Sequence, residues 1–266
     1  MSWRIKTGSL HDPVVSCKGF QEVEAGSDIG KAALPGPLIA IPEDILSSSY
    51  MSCCNTEPYY VLFDASKAHE DLNDYLRTGY KHSSRPLFKL LDGLDVDGCS
   101  LLDVGGGIGA IAFELFKRGL AHAVHNDIAP AYVQTFLAEA SRRKLLDHVT
   151  SYEGDFTMLH HNIPNADIVT LDKVICCYPE YEDLVRQSSA KAGRWYVINL
   201  PREHWLVRIG MRIDFYLTKW RTGKAFPTYF HPVSKIVEYL ERTGFRKSGQ
   251  VFQREWAALI FQRVNI

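Results

Sequence analysis

Leu101-Leu102-Asp103-Val104-Gly105-Gly106-Gly107-Ile108-Gly109 is the stretch on which the fold turns. An apolar run ends on glycines and a helical pattern follows, which is how a strand feeding directly into a helix is written. Glycines there let backbone come close to a ligand, and the start of the helix presents free N–H groups. Gly105, Gly107 and Ala110 also satisfy the relaxed dinucleotide spacing G-x-G-x-x-A, so the loop alone does not name its ligand. The acids around it narrow the choice. Asp103 sits inside the strand ahead of the loop, where it would repel a pyrophosphate and hold an ammonium. Asp127 ends the next strand, 18 residues after Gly109, where a carboxylate can accept from both ribose hydroxyls. Gly154-Asp155-Phe156 closes the third, offering an acceptor for an adenine amino group and an aromatic flank. A nucleoside with a cationic amino-acid tail suits this set better than one carrying phosphates.

Outward from the loop, strand and helix patterns alternate. Strands are expected over 99–104, 121–127, 149–155, 167–174 and 194–200, with helices over 108–118, 131–144 and 181–191. Such alternation predicts an α/β fold with a mainly parallel sheet covered on both faces. The end differs: a helix over 231–243 precedes two consecutive strands, 245–252 and 255–264, expected as a terminal antiparallel pair. Ahead of the first strand, Ala68, Leu72, Tyr75 and Leu76 share a helical face that stops at Gly79. A second helix begins at Ser84-Arg85-Pro86. Residues 1 to about 50 carry four prolines and little periodicity, which predicts an irregular arm; we place its boundary at 64/65.

The chain has 266 residues, 46% hydrophobic and 23% charged, enough for one large α/β domain. No apolar run approaches a membrane-spanning length, and the first residues lack a secretory signal. Thirty basic against 31 acidic side chains leave no global field for a polyanion, so nucleic acid is not an expected partner. Six cysteines are too few for a disulfide scaffold, and a reducing, cytoplasmic compartment is expected.

On the glycine loop, the Asp127 strand end, the Gly154-Asp155-Phe156 turn and the 167–174 strand, residues 65–264 resemble the class I S-adenosylmethionine-dependent methyltransferases. The resemblance implies a Rossmann-like, seven-stranded sheet and a domain over 65–266 with a lid-like insertion at 202–231. It implies S-adenosylmethionine as cofactor and S-adenosylhomocysteine as product; the aromatic-rich segments around Tyr59-Tyr60, Trp205 and Tyr229 favour a flat or apolar small molecule as the methyl acceptor. Cofactor binding carries over to Gly105, Gly107, Gly109, Asp127 and Asp155, and Asp103, Gly106, Ile128, Phe156 and Asp172 are further cofactor-binding candidates. The stretch 169–179, VTLDKVICCYP, is similar to the fourth-strand motif of the magnesium-protoporphyrin O-methyltransferases. It departs from that motif at Cys177, where those enzymes place a histidine. Two other readings stay open: an NAD(P)-dependent oxidoreductase, and a non-catalytic binding module that kept the fold.

Tyr178, His204 and His231 are the candidate catalytic residues, because Tyr178 follows the fourth strand, His204 opens the long excursion after the fifth, and His231 follows that excursion, where an acceptor lid would sit. Cys53-Cys54 and Cys176-Cys177 lack the spacing of a metal site, and no metal is expected. Neighbouring residues on a strand face opposite ways, so Cys176 and Cys177 are expected to point apart. Over 202–221, Trp205, Leu206, Ile209, Ile213, Tyr216, Leu217 and Trp220 form an apolar stripe at helical spacing among basic residues. The expectation is a helix packed on the sheet with a solvated basic face. A lid over an apolar or anionic acceptor, or contact with a membrane surface, is the functional alternative.

Overall fold

The computed structural model describes residues 62–222 and 228–264. Seven strands make one sheet: β1 Ser100–Val104, β2 His122–Asp127, β3 Val149–Glu153, β4 Ala166–Asp172, β5 Ala192–Pro201, β6 Phe245–Gln253 and β7 Trp256–Arg263. Their order is β3-β2-β1-β4-β5-β7-β6. Strands β1 to β5 pair in parallel, and β7 runs antiparallel between β5 and β6. The order reverses between β1 and β4. At such a switch point the flanking connections leave to opposite faces and open a crevice beyond the carboxyl ends of the strands.

Among the described residues eight α-helices accompany the sheet: α1 Ala65–Thr78, α2 Arg85–Leu91, α3 Ala110–Phe116, α4 Pro130–Arg142, α5 Phe156–Leu159, α6 Tyr181–Ala190, α7 Trp205–Thr222 and α8 Val233–Arg242. Local chemistry sets their ends. Asp64 caps α1 by accepting from the Lys67 amide at 2.9 Å, and Gly79 follows the helix at φ 77°. Pro86 and Pro130 occupy first-turn positions, where a missing N–H costs nothing.

Alternate residues of β1 feed two cores. Leu101 packs with Leu87, Phe113 and Phe136 on one face, while Leu102 and Val104 pack with Val169, Leu171 and Leu184 on the other. Each fully buried leucine contributes about 1.5–3 kcal/mol, so slipping β1 by one residue would exchange both faces for unfavourable ones.

Three expectations are corrected. The fourth strand stops at Asp172, because Lys173 takes a positive φ of 65°. Cys176 and Cys177 therefore lie on a 3-10 turn, Ile175–Cys177, and both thiols point to one acceptor, the Lys173 carbonyl, at 3.3 and 3.4 Å. The 202–221 stripe does form a helix, α7, but its apolar residues face outward, with Trp205 64% and Trp220 82% exposed. The expected arm over 1–64, except its last three residues, lies outside the described residues, as do Cys53-Cys54 and residues 223–227 of the lid-like insertion.

Candidate active site

A cavity of about 480 Å³ opens at the switch point. Its floor is the turn after β1, its sides are the ends of β2 and β4, and its cover comes from α1, the segment leading to α2, and α7. Asp103, Gly105, Gly106, Gly107, Asp127, Ile128, Phe156, Asp172 and Tyr178 all line it.

The glycine turn is held by its surroundings. Gly105 has φ 63°, and a β-carbon there would stand 2.5 Å from the Val174 side chain. Gly109 lies outside the lining; at φ 81° it starts α3 so close to Phe136 that a β-carbon would clash outright. His125 fastens the turn from below. It is fully buried, its Nε2 is 2.8 Å from the Gly107 carbonyl and its Nδ1 is 3.0 Å from the Ser151 hydroxyl. A carbonyl only accepts, so Nε2 carries the proton and Nδ1 accepts from Ser151. Burial pushes the His125 pKa down to about 4, which keeps the ring neutral, and the ring stacks on Phe136 at 4.2 Å.

Two carboxylates meet beneath and beside this turn. Asp103 is 1% exposed; its Oδ1 accepts from the Thr170 hydroxyl at 2.6 Å, while its buried Oδ2 has no hydrogen-bond partner among the described residues. Burial pushes Asp103 up to about 7, with the charges of Asp172 and Asp127 adding to the shift and Thr170 opposing it. Asp127 accepts from the Gly107 amide at 2.8 Å and the Ala129 amide at 2.9 Å. Burial raises it to about 6 against those backbone donors. Its carboxylate thus ties the glycine turn to the end of β2 while still facing the cavity.

Asp155 lies off the lining as the cap of α5. Its Oδ1 accepts from the Thr157 amide and hydroxyl, each at 2.8 Å, and from the Tyr178 hydroxyl at 2.9 Å. His231 donates from Nε2 to the Tyr178 carbonyl at 2.7 Å and stacks on Tyr181; burial lowers its pKa. His204 is exposed at the head of α7, where it accepts from the Leu206 amide at 3.3 Å.

Several lining groups carry no sequence signal of their own. The Lys173 ammonium is 2.9 Å from the Ser84 hydroxyl and 3.2 Å from Asp172, whose other oxygen accepts from Asn199 at 2.7 Å. On the cover, buried Asp71 accepts from the Tyr132 hydroxyl and pairs with Lys81, each at 2.8 Å. Ser84 and Lys173 stand 89 residues apart in sequence, Asp172 and Asn199 27, and Asp71 and Tyr132 61, and only the closed sheet brings them together.

Residues 102–190 match the family described as Methyltransferase domain. That stretch is about a third of the chain, and over it the protein is similar to methyltransferase domains. Among curated relatives, the ribosomal protein L11 methyltransferase of Photorhabdus laumondii is 33% identical over 75 residues, covering 28% of this chain and 25% of that protein. The match therefore spans about a quarter of that relative's length. Magnesium protoporphyrin IX methyltransferase from Synechocystis, solved with bound S-adenosylhomocysteine, superposes with a TM-score of 0.59 at 16% identity, covering 79% of this chain and all of that one. An O-methyltransferase family protein from Burkholderia thailandensis gives 0.60 at 17% identity, covering 84% and 67%. At such identities the likeness is one of fold. The chain shares its Rossmann-like fold, a mostly parallel sheet closed by an antiparallel pair, with these neighbours.

Proposed function

We propose that this protein transfers the methyl group of S-adenosylmethionine to an oxygen or nitrogen of a small aromatic or apolar acceptor bound in the 480 Å³ cavity. The observation that carries the reading is the unpartnered, buried Asp103 Oδ2 under the glycine turn, in a cavity that Asp127 also lines. A buried carboxylate oxygen without a donor is costly, and a cationic ligand group relieves it. The residues present therefore fit the cofactor. Asp103 would hold its ammonium end, Asp127 its ribose hydroxyls, and Phe156 its base, with backbone approach given by Gly105 to Gly107.

When bound, the cofactor supplies a methyl carbon made electrophilic by the adjacent sulfonium. The protein's task is then alignment and exclusion of water. Phe63, Tyr80, Tyr178 and Trp256 give the acceptor end of the cavity flat apolar walls. Lys173 presents a cation there, suited to an acidic oxygen that needs no base. Tyr178 is our choice for direct contact with the acceptor, and His231 acts by holding its backbone. His204 is assigned no role.

Calorimetric titration with S-adenosylhomocysteine tests this. Micromolar binding by the wild type that falls at least tenfold, about 1.4 kcal/mol, in Asp127→Ala supports the cofactor site. Asp127→Asn, which keeps an acceptor for the Gly107 amide, separates lost ligand contacts from a loosened turn. Absence of binding by the folded wild type overturns the reading in favour of a repurposed fold. Binding without transfer of labelled methyl to any of a panel of phenols, aromatic acids and amines would overturn the small-molecule part.

A further inference from the structure

Helix α7 presents its apolar residues to the outside. At about 100° per residue, Trp205, Tyr216, Ile209, Trp220, Ile213, Leu206 and Leu217 fall in that order across one unbroken arc of about 120°. Each is about half exposed or more, from 48% for Leu217 to 82% for Trp220. Arg208, Lys219 and Arg212 line one border of this arc and Arg221 the other, all exposed. Asp214 is the only acid on the helix. The opposite face, Val207, Met211, Phe215 and Thr218, is half-buried, and Met211 lines the cavity.

We propose that α7 docks this protein on the surface of an anionic lipid bilayer. The occupant follows from the pattern. An apolar stripe from Trp205 to Trp220 on a helix of 18 residues, about 27 Å long, with cations along both borders complements the boundary between acyl chains and anionic headgroups. Tryptophans near the two ends of the helix are the side chains that settle at that depth, with apolar rings buried and N–H groups in the headgroup region. A second copy of the same face would set cations against cations. No helix among the described residues is long and apolar enough to cross a membrane, so the contact lies in the plane of the surface. With Met211 on the reverse side, α7 is then a wall shared by the lipid and the cavity, and an apolar acceptor would be met at the bilayer. The docking itself does not depend on the methyl-transfer reading.

Vesicle flotation of the full chain tests it, using phosphatidylcholine alone and phosphatidylcholine mixed with phosphatidylglycerol. The expected result is recruitment at least about tenfold stronger by the anionic vesicles, weakened by salt. Ile209→Glu with Ile213→Glu should reduce it about tenfold or more, and Arg208→Glu with Arg212→Glu should remove the preference for anionic lipid. These positions are exposed, so unchanged thermal unfolding is expected of both variants and serves as the fold control. No recruitment, equal recruitment by neutral vesicles, or recruitment that ignores both variants would overturn the proposal. So would a wild-type dimer, seen by sedimentation, that Ile213→Glu dissociates without any vesicle binding; the face would then belong to a second copy.

Discussion

At Asp103 two demands oppose each other. The carboxylate is buried with one oxygen bonded to Thr170 and the other without a donor, and burial raises its pKa to about 7. The folded protein thus binds this proton more tightly than the unfolded chain does, so stability falls as pH rises from about 4 through 7. Asp103→Asn removes the charge and keeps the acceptor for Thr170. In thermal unfolding without ligand, the variant should match wild type near pH 4 and exceed it by a few kcal/mol, as an order of magnitude, at pH 8. S-adenosylhomocysteine binding should weaken at least tenfold in the same variant. A variant that is no more stable at pH 8 would mean the buried charge is relieved some other way. His125 works in the opposite sense. Its pKa falls from the ordinary 6.5 to about 4 on folding, so its contribution is complete above 6.5 and lost as pH drops toward 4. His125→Leu should cost about 1–3 kcal/mol at pH 7.5 by freeing the Gly107 carbonyl and the Ser151 hydroxyl. The gap to wild type should narrow below pH 6.5.

Among elements, the β1–α3 turn tolerates least. Gly109 combines φ 81° with contact against Phe136, and Gly109→Ala should destabilise by about 3 kcal/mol or more in denaturant titration, through backbone strain and overpacking together. This turn was legible in the sequence because its meaning is local: glycines, strand and helix are contiguous. Strand positions came through for the same reason, within about two residues at each end. Asp127 was legible as an acid at a strand end; the structure places it on the cavity lining and also has it close the turn through the Gly107 and Ala129 amides. What sequence could not show was long-range or conformational. The left-handed Lys173 ends β4 early and folds Cys176 and Cys177 onto one carbonyl, and nothing in the string LDKVICC signals it. The α7 stripe had the right period but the wrong neighbour assigned, because periodicity reports that one face is apolar and not what covers it.

The whole molecule divides its site between two sources. The groups proposed to face the cofactor sit on the β1, β2 and β4 ends, within the 102–190 stretch that matches the methyltransferase family, whereas Tyr80, Met211 and Trp256 come from outside it. Met211→Ala and Tyr80→Ala should therefore leave S-adenosylhomocysteine affinity within about twofold and shift acceptor KM by about tenfold. A large loss of cofactor affinity in either would show that the two halves are not separable. Across the molecule, Asp103 and Asp127 both hold protons near pH 6, and a cationic ligand favours their ionised forms. Cofactor affinity should rise from pH 5 to 8, with protons released on binding, measurable by calorimetry in buffers of different ionisation enthalpy. The position of β7 has a consequence for biosynthesis. It is translated after β6 yet lies between β6 and β5, pairing along β5 from Trp195 to Pro201. A nascent chain that has emerged through β6 already holds β1, β2 and β4, whose ends line the cavity, but β5 still ends in a bare, apolar edge. A premature stop within residues 256–263 would release a chain with a near-complete site and a sticky border, destined for chaperones and proteases rather than for reduced service.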